Sequence, residues 1–218
     1  MLATNADLNL SNPGVTTAAK AEDLKAAGIP TLYPAGECVY LEHPDPGQAE
    51  VTFDDIYASI EQLGELFDAQ PTAKDAVATL CDRVAAVESK IAASGETAMQ
   101  VQIFNGVIYS VSGIAAIEQT QLEALGLENP AAGTGDELNA EALIGFDPYV
   151  IILQYGFDTD DGIKILDKAK QEFLALPGVS TMTAVKNDAI VGVNVFLTYP
   201  DTLAVEGIEE IARQLEKR

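Results

Sequence analysis

The sequence predicts an α/β fold built as two lobes that one long helix joins. Short apolar strands alternate with helices on both sides of residues 72–92, which favours parallel or mixed sheets with right-handed crossovers. Within residues 72–92, apolar side chains recur at steps of three and four, as on one face of a helix about 30 Å long. This spine helix divides the chain into residues 1–71, 72–93 and 94–218.

Turn and capping residues mark the elements of the first part. We expect a helix over residues 18–27, a strand over 29–33, and then a second helix that Thr52 caps. Thr72 and Asp75 form a start signal of the capping-box type for the spine helix. The first part of the chain therefore ends in a helix, and the spine helix follows it directly.

The second part returns to alternating strands and helices. The segment FDPYVIIL is almost wholly apolar, which is typical of a strand buried on both faces of a parallel sheet. The predicted strands cover residues 99–109, 146–153 and 189–196. The predicted helices cover residues 114–125, 139–144, 160–174 and 202–217.

The chain is strongly acidic, with 12 basic and 34 acidic residues and a net charge of −22. Nucleic acid is excluded as a partner, because phosphate binding depends on clustered lysine and arginine. Two interpretations of the charge remain open: a solvated acidic surface, or steering toward a basic partner. No run of eighteen apolar residues is present, so the sequence predicts no membrane-spanning helix.

The pattern of reactive side chains predicts a binding protein rather than an enzyme. His43 is the one histidine, and it lies in a proline-rich turn with no cluster of cysteines or carboxylates spaced to join it. The acidic run at 158–162 lacks the glycine and glutamate positions of a calcium loop, so it indicates a helix start. We expect no catalytic residues, no protein-bound metal and no cofactor.

The two cysteines, Cys38 and Cys81, leave the redox compartment undecided. One alternative is a pair of small, buried, free thiols. The other is a Cys38–Cys81 disulfide, which would close a long loop and stabilise the fold by about 4 kcal/mol.

Aromatic and hydroxyl side chains cluster where the predicted strands end. Ligands of open α/β sheets bind beyond the carboxyl ends of the strands, so these positions are candidates for ligand binding. Four of them are tyrosines, which suggests an aromatic cleft with hydroxyl donors; chance packing is the alternative. The candidate ligand-binding residues are Tyr33, Tyr109, Ser110, Ser112, Tyr155, Phe196 and Tyr199.

Several segments, in this order, resemble one family of proteins. They are GIPTLYP with the following VTFDDIYASIEQLGELF, the spine helix, YSVSG, LEALGLENP, FDPYVIIL and LPGVSTMTAVKNDAIV. Together they resemble the substrate-binding proteins of ABC importers for ferric siderophores, haem and cobalamin. The resemblance implies two Rossmann-like lobes joined by one spine helix, with the first lobe incomplete because the chain begins inside it.

The resemblance implies a capture protein in the periplasm or anchored at the cell surface. It would hold an iron chelate of the ferric siderophore type between its lobes and deliver it to an ABC permease. The alternative is a truncated relative that has lost transport and acts as an interaction or scaffold protein. Its incomplete first lobe would expose a sheet edge, through which we expect homo-oligomers.

The positions of the basic residues predict the charge of the ligand. The three arginines are Arg83, Arg213 and Arg218, and all of them lie on predicted helices rather than at strand ends. An anionic chelate such as a ferric tris-catecholate needs fixed positive charge in its site. The sequence therefore predicts a neutral or cationic chelate of the ferric hydroxamate kind.

Overall fold

Strands and helices alternate along the chain, and the predicted α/β fold is confirmed. The computed structural model describes residues 6–11, 21–34, 51–90, 95–110, 117–134, 137–156 and 165–218. Its strands are β1 Asn9–Leu10, β2 Thr31–Leu32, β3 Ala98–Phe104, β4 Val107–Ser110, β5 Glu137–Leu138, β6 Val150–Tyr155 and β7 Ile190–Asn194. Its helices are α1 Ala21–Ala26, α2 Phe53–Leu66, α3 Gln70–Glu88, α4 Ile117–Ala124, α5 Ala140–Phe146, α6 Leu166–Leu174, α7 Thr183–Lys186 and α8 Leu203–Leu215.

The main sheet has five strands in the order β5-β4-β3-β6-β7. β3, β6 and β7 run parallel, whereas β4 and β5 are antiparallel to their neighbours, so the sheet is mixed. Tyr155 at the end of β6 pairs with Asn194 at the end of β7. The carboxyl ends of these two strands therefore meet at one edge of the sheet.

The predicted single strand over 99–109 is wrong, because this segment folds as a β-hairpin. β3 ends at Phe104, and β4 returns antiparallel to it from Val107. Asn105 and Gly106 form the two-residue turn, with φ of 51° and 76°. Asn-Gly tolerates these left-handed angles, which match the twist of the flanking strands.

Helices cover both faces of the main sheet and form two hydrophobic clusters. One cluster includes Ile152 and Val191 of the sheet with Leu122 of α4 and Ile208 of α8. The other cluster lies on the opposite face, where α5, α6 and α7 contribute Leu143, Phe173 and Ala184. Successive strand residues alternate between these faces, so β6 is apolar over most of its length, as predicted.

α2 begins as the sequence predicts. The Thr52 side chain accepts a hydrogen bond from the backbone N–H of Asp55, and the Asp55 carboxylate accepts one from the backbone N–H of Thr52. This reciprocal capping box satisfies two amide groups that the first turn of a helix leaves unpaired.

α3 is the predicted spine helix, but it begins earlier than expected. Its first residue is Gln70, and Pro71 lies in its first turn, where a missing N–H costs nothing. The predicted start at Thr72 with Asp75 is therefore wrong. Its buried stripe includes Leu80, Val84 and Val87.

The apolar core continues across the predicted boundary at residue 71. Val51, Phe53 and Ile56 are buried in the same cluster as the core of the second lobe. The Thr120 hydroxyl of α4 also donates a 2.7 Å hydrogen bond to the carbonyl of Val51. α2 is thus packed with the second lobe, although the three predicted domain ranges themselves stay a prediction.

In the described part of the first lobe, β1 and β2 form a two-stranded parallel sheet, and α1 lies between them in sequence. Among the helices of the described residues, none combines the length and the apolar character that crossing a membrane requires.

Candidate ligand site

The carboxyl ends of β6 and β7 form the candidate ligand site of the second lobe. Tyr155 ends β6, and its hydroxyl donates a 3.3 Å hydrogen bond to Oε1 of Glu210 on α8. Burial raises the pKa of Tyr155, and the Glu210 carboxylate raises it further, while the positive charge of Arg213 opposes the shift. The Tyr155 phenol is therefore neutral and is oriented by α8.

The turn that follows β6 depends on glycine. Gly156 has a φ of 107°, and a Cβ atom built on it would lie 2.8 Å from Oδ1 of Asn194. That same Oδ1 accepts a 3.0 Å hydrogen bond from the backbone N–H of Phe196. Gly156 thus leaves the space in which Asn194 caps the short 3-10 helix Val195–Leu197.

Two exposed aromatic rings lie just beyond β7. Phe196 and Tyr199 expose 47% and 46% of their surface, and their ring centroids are 6.1 Å apart at an angle of 47°. Leu203 at the start of α8 is also exposed. We call Val195–Leu203 the aromatic segment. It brings together two of the residues predicted to bind ligand and presents an apolar surface with one phenol hydroxyl.

Tyr109 and Ser110 lie elsewhere than predicted. Both belong to β4, which returns from the hairpin, so they do not follow the carboxyl end of a parallel strand. Tyr109 pairs with Gln102 of β3 and with Glu137 of β5. Ser110 is buried, with 1% of its surface exposed. The premise that these two residues end a parallel strand is wrong.

Tyr33 directly follows β2 in the sheet of the first lobe, as predicted. Ser112 lies outside the described residues. Among the four candidate tyrosines, Tyr109 and Tyr155 are on strands that β3 separates. Convergence of all four hydroxyls in one cleft stays a prediction.

A buried polar network below the aromatic segment was missed by the sequence reasoning. It joins β3, β6, α4 and the aromatic segment through side chains that each expose 5% or less of their surface. The signal for it was the presence of glutamine in strands that are otherwise apolar. Its members are Gln100, Glu118, Gln121, Gln154 and Thr198.

Cys81 is exposed on α3, so the alternative of two buried thiols is wrong for this residue. The Tyr57 side chain makes a hydrogen bond with Cys81. Burial raises the pKa of the Tyr57 phenol, and this hydrogen bond raises it further. Cys38 lies outside the described residues, so the Cys38–Cys81 disulfide stays a prediction.

The described part of the chain offers no metal centre. His43 lies outside that part, and no group of three or more metal-ligating side chains occurs within it. A cavity of about 130 Å3 lies where α2 and α3 meet. Ligand pockets start at about 300 Å3, so this cavity is too small for a metal chelate. Its lining residues are Glu61, Glu65, Gln70, Ala73 and Lys74.

Comparison with known proteins identifies the class of protein that this fold and site define. The family model described as periplasmic binding protein matches residues 7–194. The chain therefore belongs to the periplasmic binding protein family, whose members bind substrates for transport and are not enzymes. A search of curated proteins gave no match.

Three solved structures resemble the chain over nearly its whole length. It is 31% identical to a protein of an ABC-type Fe3+-hydroxamate transport system from Saccharomonospora viridis, over 98% of this chain and 70% of that one, with a TM-score of 0.74. A periplasmic binding protein from Veillonella parvula is 17% identical over 100% of this chain and 72% of that one, with a TM-score of 0.82. The triscatecholate siderophore binding protein FeuA from Bacillus subtilis is 18% identical over 100% and 73%, with a TM-score of 0.72. The last two share the fold alone.

Proposed function

We propose that this protein captures a neutral or cationic iron chelate of the ferric hydroxamate class and delivers it to an ABC permease. The observation that carries the proposal is the aromatic segment, which holds two exposed rings at the carboxyl ends of parallel strands. In α/β sheets, this edge is where ligands bind. Exposed aromatic faces give apolar contact area, and the Tyr199 hydroxyl adds a hydrogen-bonding group.

The positions of positive charge support a neutral or cationic ligand. Arg83 is engaged with Glu209 on α8, and Arg218 lies 5.5 Å from the centre of the Tyr149 ring, before the amino end of β6. Arg213 is near Tyr155, where the Glu210 carboxylate offsets its charge. With a net charge of −22, the protein as a whole also repels anions.

The choice of hydroxamate over catecholate draws on the more similar relative. The protein from Saccharomonospora viridis belongs to an Fe3+-hydroxamate transport system, and its 31% identity extends over 98% of this chain. FeuA binds a triscatecholate siderophore, but at 18% identity it carries no argument about the ligand. The aromatic segment contains no lysine or arginine, and a hydroxamate complex needs none, because it lacks the charge of a tris-catecholate.

Isothermal titration calorimetry with a matched pair of complexes tests the proposal. We expect a neutral ferric trihydroxamate to bind and a ferric tris-catecholate to bind more weakly or not at all. Haem and cobalamin complete the screen. Tighter binding of the tris-catecholate would contradict the predicted ligand charge, and no binding of any iron complex would contradict the function.

Variants of the aromatic segment locate the site. Phe196→Ala and Tyr199→Ala should each weaken ferric trihydroxamate binding by about tenfold, because each removes one aromatic contact. Phe67→Ala is the matched control, since Phe67 is an exposed aromatic residue at the end of α2, with 63% of its surface accessible. Equal effects of all three substitutions would argue against a site at the aromatic segment.

The partners and location follow from the same proposal. The chain would act outside the cytoplasm, in the periplasm or anchored at the cell surface, and it would need an ABC permease but no nucleic acid. Pairing of two copies through the first-lobe sheet stays a prediction, which light scattering of the purified protein tests.

A further inference from the structure

The side chain of Gln121 ties the aromatic segment to the second lobe at two points. Gln121 is fully buried on α4, and its amide nitrogen donates to the carbonyl of Leu197 at 2.8 Å and to that of Ala204 at 2.9 Å. A side-chain amide has two hydrogens on its nitrogen, so both are used here. Leu197 lies inside the aromatic segment and Ala204 directly follows it. The turn between them, which carries Tyr199, is therefore held at both ends.

Two further glutamines determine which way the Gln121 amide points. The amide nitrogen of Gln100 on β3 donates to Oε1 of Gln121 at 3.1 Å, and that of Gln154 on β6 donates to Oε1 of Gln100 at 3.2 Å. Because the Gln121 oxygen is engaged toward the sheet, its nitrogen faces the aromatic segment. Gln100 and Gln154 are both buried, and hydrogen bonds are stronger there than in water. The aromatic segment is thereby fixed relative to two inner strands of the main sheet.

Gly207 of α8 makes room for the contact between Gln121 and Leu197. A Cβ atom at this position would collide with the Leu197 carbonyl oxygen and with the Gln121 amide nitrogen. Alanine is otherwise the better residue inside a helix, so this glycine has a steric reason. The contact thus depends on two residues from two different helices.

The hydrogen bonds within the aromatic segment do not fix its place on the lobe. The backbone N–H of Thr198 donates to the carbonyl of Val195. The backbone N–H of Asp201 donates to the carbonyl of Tyr199. These local hydrogen bonds shape the turn, whereas those from Gln121 attach it to another element. The rings of Phe196 and Tyr199 are about half exposed, so their own packing supports the segment only in part.

We propose that Gln121 is a positioning residue for the ligand site: it holds the rings of Phe196 and Tyr199 in the arrangement that receives the chelate. The ligand part of this inference rests on the proposed function. Gln121 is fully buried, so it acts through the aromatic segment rather than by touching the chelate. When the binding-competent arrangement is only partly populated, the apparent affinity falls by that fraction. Loss of the Gln121 amide should therefore weaken binding although both rings remain.

Gln121→Met tests the inference, because methionine keeps the length of the side chain and removes both amide hydrogens. The dissociation constant of the neutral ferric trihydroxamate, measured by calorimetry, should rise about tenfold. Gln214→Met is the matched control. Gln214 on α8 accepts a 3.0 Å hydrogen bond from the backbone N–H of Gly192 and donates one of 2.6 Å to its carbonyl. Gly192 lies within β7, so Q214M should keep the dissociation constant within about twofold of the wild type.

Amide hydrogen exchange of the ligand-free protein separates local release from a general loss of stability. In Q121M, exchange at residues 196–203 should accelerate about tenfold more than exchange at residues 150–155 of β6, which follows opening of the core. In Q214M, the ratio between the two regions should stay as in the wild type. Equal acceleration of both regions in Q121M would mean a general structural role and would overturn the inference.

Gly207→Ala disrupts the same contact from α8 and serves as the test if Q121M does not fold. Its methyl group should displace the Leu197 carbonyl, while both amide hydrogens of Gln121 remain. The dissociation constant should again rise about tenfold. The double variant should bind no more weakly than the weaker single variant, because both changes break one shared attachment. Multiplying effects, or wild-type affinity and exchange in G207A, would overturn the inference.

The two readouts distinguish failure of this inference from failure of the proposed function. Faster exchange at residues 196–203 of Q121M, in a protein that binds no iron complex, would support the positioning role and contradict the function. Chelate binding of wild-type strength in Q121M would contradict the inference and leave the function standing. Equal weakening of binding in Q121M and Q214M would also contradict it, because only Gln121 contacts the aromatic segment within this matched pair.

Discussion

Single residues decide the geometry of the candidate site, and Gly156 is the clearest case. Its φ of 107° lies in a region that side chains disfavour, and the Asn194 side chain occupies the space where its Cβ would stand. Asn194 in turn positions the backbone of Phe196. The exposed rings therefore depend on a residue that has no side chain of its own.

Gly156→Ala should destabilise the protein by about 2 kcal/mol, since it adds both backbone strain and a steric conflict. It should also weaken chelate binding, because Asn194 must give up its cap. Gly145→Ala is the control: Gly145 is exposed in α5 and has nothing within 4 Å of its Cβ position. We expect this change to be neutral or to stabilise by up to about 1 kcal/mol. Urea unfolding measures both effects, and equal destabilisation would refute the role of Gly156.

Glu118 makes stability depend on pH. Its pKa rises from an ordinary 4.5 to about 7 in the folded protein, so the folded state disfavours the charged carboxylate. The contribution is fully present below pH 4.5 and is lost as the pH rises to about 7. The loss is on the order of 3 kcal/mol.

Comparing the wild type with Glu118→Gln isolates this contribution. Between pH 5 and pH 8, the free energy of unfolding of the wild type should fall relative to that of the variant. Urea titrations at both pH values measure the difference, and a constant difference between the two proteins would mean that Glu118 does not titrate in this range.

At the scale of elements, α3 is attached to α8 by both an ion pair and apolar packing. Arg83 donates two hydrogen bonds to Glu209, at 2.8 and 2.7 Å. These hydrogen bonds lower the pKa of Glu209, so the pair contributes above the ordinary pKa of that group and is lost as the pH falls. Both side chains are more than one third exposed, which limits the contribution to less than about 1 kcal/mol.

Apolar packing should therefore dominate the attachment of α3. We expect Glu209→Gln to destabilise by about 0.5 kcal/mol, with the effect shrinking in 1 M salt. Leu80→Ala should cost about 3 kcal/mol at any salt concentration, because Leu80 is buried in the core cluster. Denaturant unfolding measures the loss of stability in each variant. A larger loss in E209Q than in Leu80→Ala would reverse this ranking.

Most elements could be predicted from the sequence because their signals are local. The Thr52 cap and the apolar stripe of the spine helix are set by nearby residues, and both were predicted correctly. The Asn105–Gly106 turn was missed because the apolar pattern on its two sides was treated as one continuous strand. That error placed Tyr109 and Ser110 at the carboxyl end of a parallel strand, whereas both belong to the antiparallel strand β4.

The candidate site could be predicted only in part. Phe196 and Tyr199 were correctly placed just beyond a strand because strand ends follow from local pattern; that they bind the ligand stays a prediction. The network around Glu118 joins residues that are distant in sequence, such as Gln100 and Gln154. Periodicity shows that a glutamine interrupts an apolar strand, but it does not show which side chain forms a hydrogen bond with the glutamine amide.

At the scale of the whole molecule, the apolar core does not follow the predicted division at residue 71. Val51, Phe53 and Ile56 are buried with the second lobe, and Thr120 holds the carbonyl of Val51. Residues 51–218 therefore form the unit that should unfold cooperatively.

A fragment beginning at Val51 should fold and unfold in a single transition, as followed by circular dichroism. A fragment beginning at Gln70 lacks three buried residues of the same cluster, so it should lose cooperativity or require less denaturant. If both fragments unfold alike, α2 is not part of the unit. If neither folds, the first-lobe segment before Val51 is required.

The packing of α2 against the second lobe also has a consequence for protein engineering. Because α2, α3 and the main sheet share one core, a junction at Val51 keeps this core on one side of the junction. Recombination with a relative at this position would exchange the residues before Val51 and keep the shared core of α2, α3 and the main sheet intact. Chimaeras joined at the spine helix would instead cut through the shared interior. Chimaeras intended to change ligand specificity should therefore be joined before α2.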